Sequence, residues 1–248
     1  MGFKQKLKEI WNNVFECFKR SFSGAIMYFL AGLFLLWLTV DADKVGMTDK
    51  RWAWTVVCIL CAGAYNFFVS YVNGGNQYEM LVSGNMKRIS AMNAGGEYKI
   101  SAHKLAKEYR VWKGFVIGLF MSFFCIVTAI VFGINQEKIV QALTMKDKPL
   151  PTALGVVVMI MMFLAGWSIL PFYHLNAGGT YVNFYLSLLM ALIPVIVTGV
   201  AYIAGAYGRR RKSLRAQELA DREMAAKEAK PKKINYGGLP GTKSRKRK

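Results

Sequence analysis

Cys58 and Cys61 form a Cys-x-x-Cys pair, and His103 and His174 are the two histidines of the sequence. These are the residue types from which a metal or redox centre is built, provided they converge with further ligands and with water. Here the cysteine pair lies inside a long apolar stretch, where positions i and i+3 share one helix face. Cys17 and Cys125 stand apart from it and from each other. Packing between helices accounts for all four. His174, beside Tyr173 and Asn176, reads as an interfacial hydrogen-bonding group rather than a ligand. No H-E-x-x-H, G-x-S-x-G or G-x-x-x-x-G-K pattern occurs. No cofactor, metal or catalytic set is therefore expected, and the chain reads as a non-enzyme.

Two kinds of polar chemistry remain. Asn66, Ser70 and Ser168 lie within apolar stretches, with His174 and Asn176 at the edge of one. Such side chains either hydrogen-bond between packed helices or line a polar pathway. Ser122, Thr128, Ser187 and Thr198 belong to the same class. The second kind is cationic. After Tyr207 come Arg209, Arg210, Arg211 and Lys212, and later Lys232, Lys233, Lys243, Arg245, Lys246, Arg247 and Lys248. A basic segment tethered at a bilayer attracts anionic lipid headgroups, with roughly 1 kcal/mol for each basic residue near the surface. RNA, or the ribosome, would be held by the same salt-sensitive attraction. Tyr236 is the one aromatic after Tyr207 available for base stacking, so any RNA contact would be nonspecific.

The elements that must carry these groups follow from where charge is missing. All 33 Lys/Arg and all 14 Asp/Glu fall outside five apolar stretches, 21–40, 52–72, 114–134, 151–173 and 181–207. About 20 apolar residues in a helix cross a hydrocarbon core of about 30 Å. The stretches are apolar all round, unlike a soluble core helix that keeps one face in water. The expected fold is an all-α, multi-pass transmembrane bundle. Residues 1–20 read as an amphipathic interfacial helix, with Phe3, Leu7, Ile10, Trp11, Val14, Phe15 and Phe18 at helical spacing and lysines elsewhere. No secretory signal pattern is expected there. Residues 73–113 read as a basic loop whose second half, from an N-cap at Ser101, runs helically into the third span. Residues 208–248 read as a basic tail, helical and then disordered.

Three related stretches punctuate this plan: "NGGNQY" at 73–78, "NAGGEY" at 93–98 and "NAGGTY" at 176–181. Asn and Gly accept left-handed backbone, so each reads as a helix end, with its tyrosine at the headgroup level. The charge pattern leaves one conflict. Lys and Arg near span ends favour the cytoplasm, which places both the 73–113 segment and the tail inside. Five full crossings cannot do that. Either 151–207 holds one full crossing plus a re-entrant or interfacial piece, with Pro151, Pro171 and Pro194 as breaks, or the amino terminus is outside.

The functional expectation is a non-catalytic component of a cell membrane, bacterial in type. It would act in assembly, with lipid and partner spans around its helices and a cytoplasmic basic tail on anionic lipid or a polyanion. The rival expectation is a permease or channel-like subunit for a small solute. A polar groove lined by Asn66, Ser70, Ser168 and His174 would favour that rival; a tightly packed interior would favour assembly.

Overall fold

The computed structural model describes residues 3–39, 46–95, 102–144 and 149–228. Their regular structure is helical throughout: α1 (Phe3–Thr39), α2 (Asp49–Asn93), α3 (Ala102–Leu105), α4 (Trp112–Met121), α5 (Phe123–Ile134), α6 (Gln136–Thr144), α7 (Thr152–Ala177), a 3-10 turn (Phe184–Leu186) and α8 (Ser187–Glu228). Five segments are long and apolar enough to cross a bilayer, Leu7–Leu38, Asp49–Asn93, Trp112–Ile134, Thr152–Ala177 and Phe184–Ala226. The chain is an all-α membrane bundle. Residues up to Arg209 form one compact unit, and the helical residues from Arg210 onward form a second.

The expected amphipathic helix and the first span are one continuous helix. Leu7, Ile10, Trp11, Phe15 and Phe18 are exposed on it, whereas Asn13 and Cys17 are buried against the bundle. The apolar stripe therefore faces outward, as in a helix bathed in lipid, while Cys17 packs with Ile117 and Met121.

α2 departs from expectation. The segment expected as a loop from residue 73 remains helical to Asn93, and the first Asn-Gly-Gly lies inside the helix. Gly74 and Gly75 are both buried there. A Cβ on Gly74 would collide with the carbonyl oxygen of Tyr202 in α8, and one on Gly205 with that of Tyr71 in α2. Bare glycine backbone lets the two helices touch, and that contact outweighs a helix penalty of about 1 kcal/mol per glycine. The other two copies do end helices. Gly95 (φ 75°) follows α2 and Gly179 (φ 85°) follows α7, both left-handed, while Gly178 keeps an ordinary φ of −80°.

α4, α5 and α8 pack antiparallel. Tyr185 lies against Gly133, Val195 against Gly118 and Tyr202 against Gly114, and the Ser122 hydroxyl donates to the Ala191 carbonyl at 2.6 Å. Pro194 sits inside α8 without ending it.

α7 turns back on itself. Its backbone leaves the helical region at Ala165 (φ −135°, ψ 28°), and not at Pro171. On the first limb Val158 packs with Phe132 and Ile139, and Met161 Sδ accepts from Thr128 at 3.5 Å. The break itself sits in a core cluster with Tyr28 and Cys125. On the second limb Ile169 returns to the Phe132–Ile139 cluster, and Gly178 reaches Gly46, in the connection between α1 and α2. Each limb, about a dozen residues, is about 20 Å long. That length reaches the middle of a hydrocarbon core of about 30 Å and does not cross it. Main chain that leaves the helical pattern at such depth is tolerated where protein surrounds it, and Ala165 to Pro171 are all buried.

Candidate functional site

The polar groups of the bundle concentrate at one end, where the start of α1, the middle of α2, the α3–α4 connection and the last residues of the first unit in α8 meet. Lys113, one residue into α4, is fully buried. Its Nζ donates to the main-chain carbonyls of Ala106 at 2.7 Å and Glu108 at 2.6 Å. An ammonium without water must find acceptors, and these carbonyls are free because α3 ends at Leu105. Burying the lysine therefore folds residues 106–111 into a strap across the end of the bundle.

The strap is fastened twice to α2. The Tyr109 amide donates to the Gln77 carbonyl at 3.1 Å, and Arg88 pairs with the Glu108 carboxylate at 2.7 Å. Arg110 pairs with Glu9 of α1. Arg20 bridges Glu16 at 2.9 Å and donates to Asn73 Oδ1 at 2.8 Å. The Tyr202 hydroxyl donates to Gln77 Oε1, and Arg209 pairs with Glu79 at 3.1 Å. Tyr109 stacks on Tyr202 with ring centroids 5.1 Å apart, and burial pushes its phenol above the ordinary tyrosine pKa. The exposed Arg209–Glu79 pair contributes about 0–1 kcal/mol. Joined around the enclosed Lys113 and Gln77, these contacts hold four elements in one register.

The residues singled out in the sequence are not all at one place. Asn66, Ser70 and Ser168 are each buried. Asn66 Nδ2 donates to Met121 Sδ at 3.2 Å, and Ser168 donates to the Ala165 carbonyl at 2.9 Å, beside the break in α7. Asn176 lies at the opposite end of the bundle. It donates to the carbonyls of Phe172 and Val182, and its Oδ1 accepts from the Val182 amide at 3.0 Å. It stitches the turn after α7. His174 Nε2, nearby, is buried with no hydrogen-bond partner among the described residues. Arg209 belongs to the ionic end, and Arg210, Arg211 and Lys212 are exposed on the helical second unit. Lys232, Lys233, Lys243, Arg245, Lys246, Arg247 and Lys248 lie outside the described residues, as does Ser101.

A cavity of about 180 Å³ lies beside the α7 break. Phe22, Ile26, Phe29, Phe124, Leu164 and Trp167 line it with Tyr28, Met121 and Cys125. Phe22, Ile26 and Phe124 are exposed at its rim, so it is an apolar recess whose lining holds no carboxylate, lysine, arginine or histidine.

Sequence reasoning missed Lys113, Gln77 and Glu108. A lysine next to Trp112 at the mouth of a span reads as an interfacial anchor, and the carbonyls that hold it carry no sequence signal. One clue was available: Lys113 falls between Tyr109 and an apolar run, where an outward-pointing charge would need no partner and an inward one would need several. Compared with known protein families, with characterised sequences and with solved structures, the chain matches none.

Proposed function

We propose that the chain is a non-catalytic component of a cell membrane, bacterial in type, that works by assembly. Its spans contact lipid and partner helices. Its ionic end and basic tail lie on the cytoplasmic side, where they engage anionic headgroups or a polyanionic partner. The supporting observation is the contrast between the two kinds of polar chemistry. Asn66 and Ser168 are fully enclosed by packing, whereas Arg210, Arg211 and Lys212 stand exposed.

The experiment is a salt titration. A peptide covering residues 209–248 should bind vesicles containing anionic lipid at low salt and ignore neutral vesicles. Its affinity should largely vanish by a few hundred millimolar salt, as counterion displacement requires. Binding that ignores salt, or equal binding to neutral vesicles, would sink the reading.

One observation favours the permease reading as the alternative. The discontinuity at Ala165 is of the kind that transporters place at their binding sites. Vesicles carrying the full chain separate the two: saturable solute flux lost in Ser168→Leu would put transport first, and flux no greater than in protein-free vesicles would leave assembly.

A further inference from the structure

A second cationic feature lies within the bundle unit, away from the tail. The strap fixed by Lys113 and by Arg88–Glu108 brings α3 alongside the helical extension of α2. Between them runs a groove of about 160 Å³ lined by Met80, Ser83, Gly84, Lys87, Lys104, Lys107 and Glu108. Gly84 of α2 belongs to that lining and has no side chain to fill the space. Its only carboxylate, Glu108, is already paired with Arg88 and mostly buried. Lys87, Lys104 and Lys107 have no salt-bridge partner among the described residues. Three lysines line one concave space whose single lining carboxylate is already neutralised by Arg88, so the local potential favours an anion there. The Ser83 hydroxyl, bonded at 3.2 Å only to the Met80 carbonyl behind it, is free to accept another bond or to turn and donate one.

We infer that this groove binds a phosphate-bearing anion, with Lys87, Lys104 and Lys107 around the phosphoryl oxygens and Ser83 as an added hydroxyl contact. Lysine binds phosphate as a point charge, so three lysines select for charge and size rather than for a planar shape. The walls are set before the ligand arrives. Lys113 fixes the strap through two main-chain carbonyls, and the Tyr109 amide fixes it to Gln77. Such preorganisation lowers the ordering cost of binding. The phosphate comes either from a lipid headgroup or from a soluble phosphorylated compound, and the chemistry is the same. The inference is independent of the tail, because every lining residue precedes Arg209.

The test uses the full chain in two arms. In nanodiscs of phosphatidylcholine alone, inorganic pyrophosphate is titrated calorimetrically. In parallel, the chain is extracted from phosphatidylcholine vesicles doped with phosphatidic acid, and the retained lipid is measured by mass spectrometry. Saturable one-to-one binding is expected in at least one arm, reduced tenfold or more in Lys87→Gln/Lys104→Gln/Lys107→Gln and partly in Lys87→Gln alone. Lys138→Gln, on α6 and exposed away from the groove, should bind like the parent. Pyrophosphate binding identifies a soluble ligand, and retention that pyrophosphate does not displace identifies a headgroup. No binding in either arm, undiminished binding in the triple groove variant, or an equal loss in the Lys138→Gln control overturns the inference. An unchanged melting temperature in the groove variants keeps misfolding out of the comparison.

Discussion

Lys113 holds Glu108 by its backbone and not by its carboxylate: Nζ donates to the carbonyl oxygen at 2.6 Å, while the carboxylate is left to Arg88 at 2.7 Å. The charge of Lys113 is thus used to shape a turn. Lys113→Met should leave two carbonyls without their donor and lower stability by about 2–3 kcal/mol, read as thermal unfolding in detergent. Lys113→Arg should not restore it, because the site is fully enclosed and fits no larger head. A methionine variant that unfolds with the parent would show that the strap does not depend on the lysine.

The α2–α8 contact makes a paired prediction. Gly74→Ala and Gly205→Ala each drive a Cβ into a facing main-chain carbonyl. Backbone cannot give way as a side chain can, so each should cost about 2 kcal/mol or more, in the range of overpacked cores. Gly63→Ala and Gly155→Ala meet nothing within 4 Å and should be neutral or stabilise by up to about 1 kcal/mol, the helix preference of alanine over glycine. Equal melting temperatures across all four would remove the close-contact argument.

The same glycines mark how far the sequence could be read. The five apolar stretches needed only their own composition, and the two Asn-Ala-Gly-Gly turns ended helices as local chemistry dictates. The copy at residues 73–75 did not, because what keeps it helical is Tyr202, far away in the chain. Local signals cannot distinguish a glycine that ends a helix from one that admits a neighbour. Lys113 and Ala165 failed for related reasons. The partners of the lysine are main-chain atoms, and the break in α7 falls at an alanine where proline was the visible candidate. Pro171 and Pro194 lie inside helices that continue past them.

The turn after α7 separates two neighbouring glycines. Gly179 is left-handed (φ 85°) with open space where a Cβ would go, so Gly179→Ala should lose about 1–2 kcal/mol purely from the backbone. Gly178, at φ −80°, should lose less, its Cβ meeting Gly46 Cα at 3.3 Å. Melting temperatures of the two single variants check the order. If Gly178→Ala proves the worse, the contact with Gly46 matters more than the handedness of the turn.

A re-entrant α7, bent at Ala165, would reconcile the charges with a single arrangement of the spans. If α7 dips in and returns, only α1, α2, α4–α5 and α8 cross, and an even number of crossings puts the α1 start, the α2 extension and the exit of α8 on one side. The ion pairs Arg110–Glu9 and Arg209–Glu79 require the same grouping. Single cysteines in a cysteine-free background test it with an impermeant thiol reagent on sealed cells. Cysteines at Thr144 and Thr180, which flank α7, should label together from the outside. Cysteines at Ser90 and Tyr207 should label only after the membrane is opened. A straight α7 would put Thr144 and Thr180 on opposite sides. Opposite labelling would therefore refute the re-entrant limb, and with it the placement of the basic end and the α8 exit on a common face.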